Sequence, residues 1–222
     1  MRSIQRLATL GAAAAAVVVL GACSAPSQEP STATDVPPVP TVAAAGPRTP
    51  EVPGSTTEAA VFGPGCGGLP TGDDPGSLAS MSQAPVAAAA GTNPQLRTFA
   101  ALVGRANLTE ALNAAPGLTV FAPTDNAFAT LPAEQRAALE ADPARLATVL
   151  QYHVSGTRAS AEELRTAGTS TELAGGQVRI GGTGATMTVA DAAGTTATVV
   201  CGNIPTGNAT LFLIDTVLTP QA

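Results

Sequence analysis

Residues Thr119–Leu131, TVFAPTDNAFATL, change character halfway along. Leu118–Ala122, LTVFA, form a short, largely apolar run, the pattern of a buried strand. Phe121 stands near its end, and Pro123 has no N–H with which to prolong a ladder. Thr124 or Asp125 can then accept the orphan amides of a new helix, with Ala127 and Phe128 turned inward. Residues Asn208–Pro220, NATLFLIDTVLTP, are the counterpart near the carboxyl end. There Leu211, Leu213, Thr216 and Leu218 keep no strict alternation, so the run suits a strand covered on both faces. Asp215 is its polar exception. A carboxylate at that position is expected to accept backbone or hydroxyl hydrogen bonds, with a site role as the alternative.

The segments around these two stretches sort into helices first and strands later. TNPQLRTFAALVGR predicts a helix opened by an Asn93 cap and Pro94, with the stripe Leu96, Phe99, Ala100 and Val103. Asn107 and Glu110 stand at capping-box spacing, as do Ser160 and Glu163. Asp142-Pro143 reads as a cap followed by a first-turn proline, restarting a helix that runs into QYHVSG. After Gly168 the pattern turns to strands in QVRI, MTVAD, TATVVCG and TLFLIDTVL, separated by Gly- and Asn-rich turns. Helices, then strands, with one early strand, predict an α+β domain.

Composition narrows the chemistry. All ten basic residues of the 222-residue chain are arginine, which excludes a phosphate-loop lysine, Schiff-base chemistry and a lysine base. A formal charge of −6 without a basic patch argues against a nucleic-acid partner. One histidine, His153, beside the lone tyrosine, Tyr152, invites a catalytic reading. No second histidine is present to build a metal site or a triad with it. His153 also continues the stripe Leu146, Val149 and Leu150, which directs the imidazole toward the core. GPGCGG matches G-x-G-x-x-G in form only, because a proline-rich stretch precedes it and no helix pattern follows. NLT at Asn107 and NAT at Asn208 match the glycosylation sequon.

The amino terminus reads as an export signal. Arg2 and Arg6 precede the apolar run Leu7–Leu20, which extended to Ala22 is 16 residues, short of the ~20 that span a bilayer. Leu20-Gly21-Ala22-Cys23 resembles a bacterial lipobox, which implies cleavage after residue 22 and acylation of Cys23. Several acyl chains on one residue suffice for stable anchoring. Cleavage removes two arginines and no acid, leaving an acidic chain with eight arginines against sixteen carboxylates. Cys66 and Cys201 then remain, and export permits the one intramolecular pairing they allow, two buried thiols being the alternative. Residues 23–64 are rich in Pro, Ser, Thr and Ala, and are expected to form a disordered, partly polyproline stalk open to O-glycosylation. Residues 65–222 carry the folded domain.

Three landmarks of that domain occur in a familiar order. TVFAPTDNAFATL, then Tyr152-His153-Val154, then NATLFLIDTVLTP resemble the two blocks and the intervening Tyr-His pair of a fasciclin-like domain. With the lipobox and the two cysteines, the chain is similar to the secreted and lipid-anchored fasciclin-domain surface antigens of mycobacteria and other actinobacteria. The resemblance implies a twisted β-sandwich or wedge with a group of packed α-helices, no shared enzymatic reaction and no cofactor. It implies adhesion or binding to proteins, matrix or envelope components from the outer face of the cell membrane, as a monomeric domain. Phe121, Pro123, Thr124, Asp125, Phe128, Tyr152, His153 and Asp215 are the family-motif residues, structural or binding. The rival expectation is a carrier or sensor of an apolar lipid ligand, which calls for a large closed pocket. A hydrolase dependent on His153 is the third.

Overall fold

The computed structural model describes residues 54, 56–183 and 185–220. The signal segment, Cys23 and most of the expected stalk lie outside the described residues. Eight helices are present among those described: α1 (Leu78–Gln83), α2 (Val86–Thr92), α3 (Arg97–Arg105), α4 (Thr109–Ala114), α5 (Asp125–Thr130), α6 (Ala133–Ala141), α7 (Pro143–Tyr152) and α8 (Ala161–Ala167). The strands are β1 (Leu118–Pro123), β2 (Val154–Ser155), β3 (Thr169–Thr171), β4 (Gln177–Gly181), β5 (Thr188–Ala190), β6 (Thr196–Pro205) and β7 (Ala209–Ile214). Among the described residues, no helix is long and apolar enough to cross a membrane.

The strands make one sheet in the order β2-β1-β7-β6-β5-β4-β3. Only β1 and β7 pair in parallel, Leu118 with Ala209 through Pro123 with Ile214. Both are buried along their full length, which explains their largely apolar sequences. Val120, Ala122, Leu211 and Leu213 face a core shared with α1–α7. Phe121, Phe212 and Ile214 face a second core with Tyr152, Val178, Met187 and Leu218. The rings of Phe121 and Phe212 lie 5.5 Å apart in a tilted pair. One strand pair thus separates two cores, and period-two alternation sends neighbouring residues to different ones.

Local capping explains some helix boundaries, and distant residues set others. Asp142 Oδ1 accepts from the amides of Ala144 and Arg145, opening α7, and Ser160 and Glu163 form a reciprocal capping box on α8. Asn93 does not cap α3. It is buried and accepts from the Gln95 amide in a turn, so the helix begins at Arg97. Asp125 supplies the cap instead, its Oδ1 accepting from Thr98 N at 2.7 Å. Asn107 adopts a left-handed conformation (φ 56°) and caps nothing, so the capping box expected with Glu110 does not form. Helices α1 and α2 and the three-residue β3 are present without having been expected from the sequence.

Residues 54, 60 and 62, within the expected stalk, are bonded to the sheet. Phe62 exchanges both backbone hydrogen bonds with Gly202 of β6, and Ala60 O accepts from Asn203 Nδ2. Gly54 O accepts from the buried Thr210 hydroxyl. A Cβ on Gly202 would strike the rings of Phe62 and Phe212, so glycine is what lets the Phe62 ring approach β6. Cys66, next along, is bonded to Cys201 of β6 with Cα atoms 4.9 Å apart. Proline content suggested a linker here, but one aromatic and backbone pairing dock it.

Asn208, a sequon asparagine, is spent on the fold. Its Nδ2 donates to Leu112 O and Ala115 O, both at 2.8 Å, and its Oδ1 accepts from Val86 N at 2.9 Å. It therefore ties β7 to α2 and α4. Asn208→Ala is expected to cost about 2–4 kcal/mol, since it leaves several backbone groups unpaired. A urea-unfolding midpoint equal to that of the parent chain would refute this.

Candidate functional site

His153 ends α7, where its backbone leaves helical geometry (ψ 5°) and the chain turns into β2. Leu146, Val149 and Leu150 bury the same helix face and carry the imidazole inward, to 1% exposure. Nδ1 lies 2.8 Å from Val149 O, and Leu218 N–H donates to Nε2 at 3.0 Å. Because Nε2 must accept, the proton resides on Nδ1 and is donated to the carbonyl. Burial holds the imidazole neutral, lowering its pKa to about 4 against the opposing pull of Val149 O and Asp191. The main-chain carbonyl of His153 also accepts from Phe121 N at 2.8 Å. One residue thus joins α7, β1 and the carboxyl-terminal segment, and both ring nitrogens are engaged.

Tyr152 turns the other way, into the second core, where burial raises its phenol pKa. Its hydroxyl comes within 3.5 Å of Gln177 O and borders an open cleft of about 730 Å³ with Arg145, Gly176 and Pro220. The other motif residues are spread over the fold. Thr124 Oγ1 caps α5 by accepting from Ala127 N, and Phe128 is buried in the helix-side core. Pro123 ends β1 opposite Ile214. Asp215 lies just beyond β7 and is exposed, its Oδ1 accepting from Thr198 N at 2.7 Å and from the Thr216 hydroxyl. These residues build two cores and their caps; they do not converge on one reacting centre.

Two polar residues that the sequence reading passed over carry more of the interior chemistry. Asp191, 4% exposed, accepts from Thr195 N at 2.8 Å and from Thr219 N at 3.1 Å, so it anchors the carboxyl-terminal segment beside His153. Glu172, 3% exposed, has no hydrogen-bond partner of good geometry at either oxygen. Burial pushes its carboxyl up to about 7, and the Ser170 hydroxyl nearby offsets only part of that. Strand alternation was the available signal, since Ser170 and Glu172 share a face.

The enclosed apolar pocket among Phe99, Val103, Leu112, Leu118, Leu150 and Leu173 has a volume of about 100 Å³. Small-molecule pockets run to roughly 300–1,000 Å³. Among the described residues, no group of three or more His, Cys, Asp or Glu side chains is placed to hold a metal ion.

The chain has relatives among known proteins. The family model of the fasciclin domain matches residues 94–220. The chain belongs to the fasciclin-domain family. That span runs from the turn before α3 to the segment that His153 and Asp191 hold, so it contains every motif residue above. Immunogenic protein MPT70 of Mycobacterium tuberculosis is 41% identical over 171 residues, 73% of this chain and 83% of that protein. Cell surface glycolipoprotein MPB83 of Mycobacterium bovis is 38% identical over 219 residues, 95% of this chain and 93% of the relative. Among solved structures, a FAS1 domain pair from the insect cell adhesion molecule Fasciclin I aligns at TM-score 0.49. It is 18% identical and covers 56% of this chain and 45% of that one. The fasciclin assignment rests on the family model and the mycobacterial relatives, not on that distant alignment.

Proposed function

We propose that this fasciclin-domain chain is a lipid-anchored protein on the extracytoplasmic face of the cell membrane, where its domain mediates adhesion or binding to proteins or envelope components. The supporting observation is the alignment with a cell surface glycolipoprotein over 95% of this chain, which runs through the region of Leu20–Cys23. In this reading the signal is removed after Ala22, acyl chains on Cys23 hold the chain at the bilayer, and the proline-rich stretch up to residue 53 sets its reach. The domain works as a monomeric binding module without a cofactor. Hydrolysis through His153 is not part of the proposal, because its nitrogens are occupied by Val149 O and Leu218 N–H. Among the described residues, the apolar pocket at Phe99 and Leu150 holds about 100 Å³, which supports recognition by surfaces and open clefts over lipid carriage there.

Mass spectrometry of the membrane-extracted protein should show acylated Cys23 as the new amino terminus. A soluble product starting elsewhere would remove the anchor from the proposal. For the binding role, the full-length chain in detergent should retain specific proteins from a host-matrix or envelope extract. Retention no greater than that of an unrelated acidic lipoprotein would count against it.

A further inference from the structure

The sheet closes on itself through a thin seam. β2 meets the chain just beyond β3 by a single bridge, Ser155 with Glu172, and by Leu173 N–H donating to Val154 O at 2.7 Å. Along this seam lies an open cleft of about 710 Å³, bounded by the 155–159 loop, α8 and residues 169–173. Its volume is that of a small-ligand site. Ser155, Thr157, Ser170, Thr171 and Glu172 form part of its wall.

Glu172 is the anomaly of this cleft. A carboxylate that is 3% exposed and lacks well-placed donors is a costly arrangement, which a bound donor would relieve. The neighbouring charges do not relieve it. Arg158 donates to Thr206 O, Glu163 is held in the α8 capping box, and Arg165 lies over the Phe62 ring. Both carboxylate oxygens are shielded from solvent, so a donor in the cleft reaches them only when the wall that Glu172 shares with it parts, and positive charge matches the acidic chain.

We propose that the cleft at the β2–β3 seam is a recognition site for a cationic N–H group, an ammonium or a guanidinium, that pairs with the Glu172 carboxylate. The Ser155 and Ser170 hydroxyls accept the remaining donors of the same group. The group is carried either by a small amine or by a lysine or arginine of a partner. The inference rests on the reading of the domain as a binding module. Because burial pushes the Glu172 carboxyl up to about 7, it is partly protonated at neutral pH, and cation binding releases that proton to solvent. The titratable groups around it are Tyr152 on α7, Glu163 on α8 and Arg158 on the loop.

The test titrates the full-length chain in detergent micelles with n-butylammonium, n-butylguanidinium and 1-butanol, following backbone amide resonances. Both cations should shift residues 155–157 and 169–173 and release protons into weak buffer at pH 7, while the neutral alcohol should do neither. Glu172→Gln should weaken the cations at least tenfold while unfolding no earlier than the parent chain, which separates lost recognition from lost structure. Equal shifts with butanol, undiminished binding in E172Q, or no response to either cation would overturn the proposal. A peptide with one lysine between alanines distinguishes the sources. Tighter binding than butylammonium assigns the site to a partner's side chain, and weaker binding assigns it to small amines. Cation binding combined with a failed extract-retention experiment would leave this site standing while the adhesion reading falls.

Discussion

Replacing Cys66 and Cys201 together by alanine is expected to lower the unfolding free energy by about 5 kcal/mol. The bridge closes a loop of 135 residues, and the chain-entropy model gives about 5 kcal/mol for that length. It also fastens the docked segment 56–68 to β6 at a place where the strand is already irregular. The β6–β7 register shifts on either side of Cys201, so the ladder there is weaker and the covalent link matters more. A loss of that size lowers the thermal midpoint of a domain this long by roughly 10–20 °C. Limited proteolysis should then cut first near Phe62, whose two backbone bonds to Gly202 are among the few remaining ties. A midpoint unchanged by the double substitution, or by a reductant in the parent chain, would contradict this account.

His153→Ala is expected to cost about 3–5 kcal/mol. It leaves Val149 O and Leu218 N–H buried without a partner and opens a cavity between α7 and the carboxyl-terminal segment. The same residue predicts a pH dependence with a definite sign. Its pKa falls from 6.5 when unfolded to about 4 when folded. The stability it contributes is full above pH 6.5 and is lost as the pH falls toward 4, by about 3 kcal/mol in all. Glu172 acts in the opposite direction. Its pKa rises from 4.5 to about 7, so its contribution is full below pH 4.5 and is lost as the pH rises to 7. Between pH 4.5 and 6.5 the two slopes largely offset each other. Urea unfolding at pH 4.5, 5.5, 6.5 and 7.5 should therefore show a shallow profile for the parent chain. Glu172→Gln should become clearly less stable on acidification, by about 3 kcal/mol across the His153 window. If E172Q were as flat as the parent, the opposing assignments of these two groups would be wrong.

What could be read in advance divides by the reach of the interaction. Asp142 and Ser160 were legible as caps because donor and acceptor lie within three residues of each other. Asn93 and Asn107 matched equally good local patterns and failed. The amide that Asn93 was expected to cap belongs to a helix whose actual cap, Asp125, arrives from β1's far end, 27 residues away. The His153 stripe pointed correctly toward the core because helical period alone decides direction. Its partner Leu218, 65 residues later, could not be inferred from period.

The sequence by itself determined the family, the two largely apolar buried strands, and the inward turn of His153. These follow from periodicity, proline and capping chemistry, which act over a few residues. Tertiary structure alone decided that segment 56–64 docks on β6 and that Asn208 clamps two helices to β7. It also decided that Glu172 is buried without donors beside a cleft. Each depends on which strands become neighbours, and the Ser155–Glu172 seam forms only when both edges of the curved sheet meet. Alternation with Ser170 could signal the face that Glu172 takes, but whether that face is sealed and left without donors is a property of the closure.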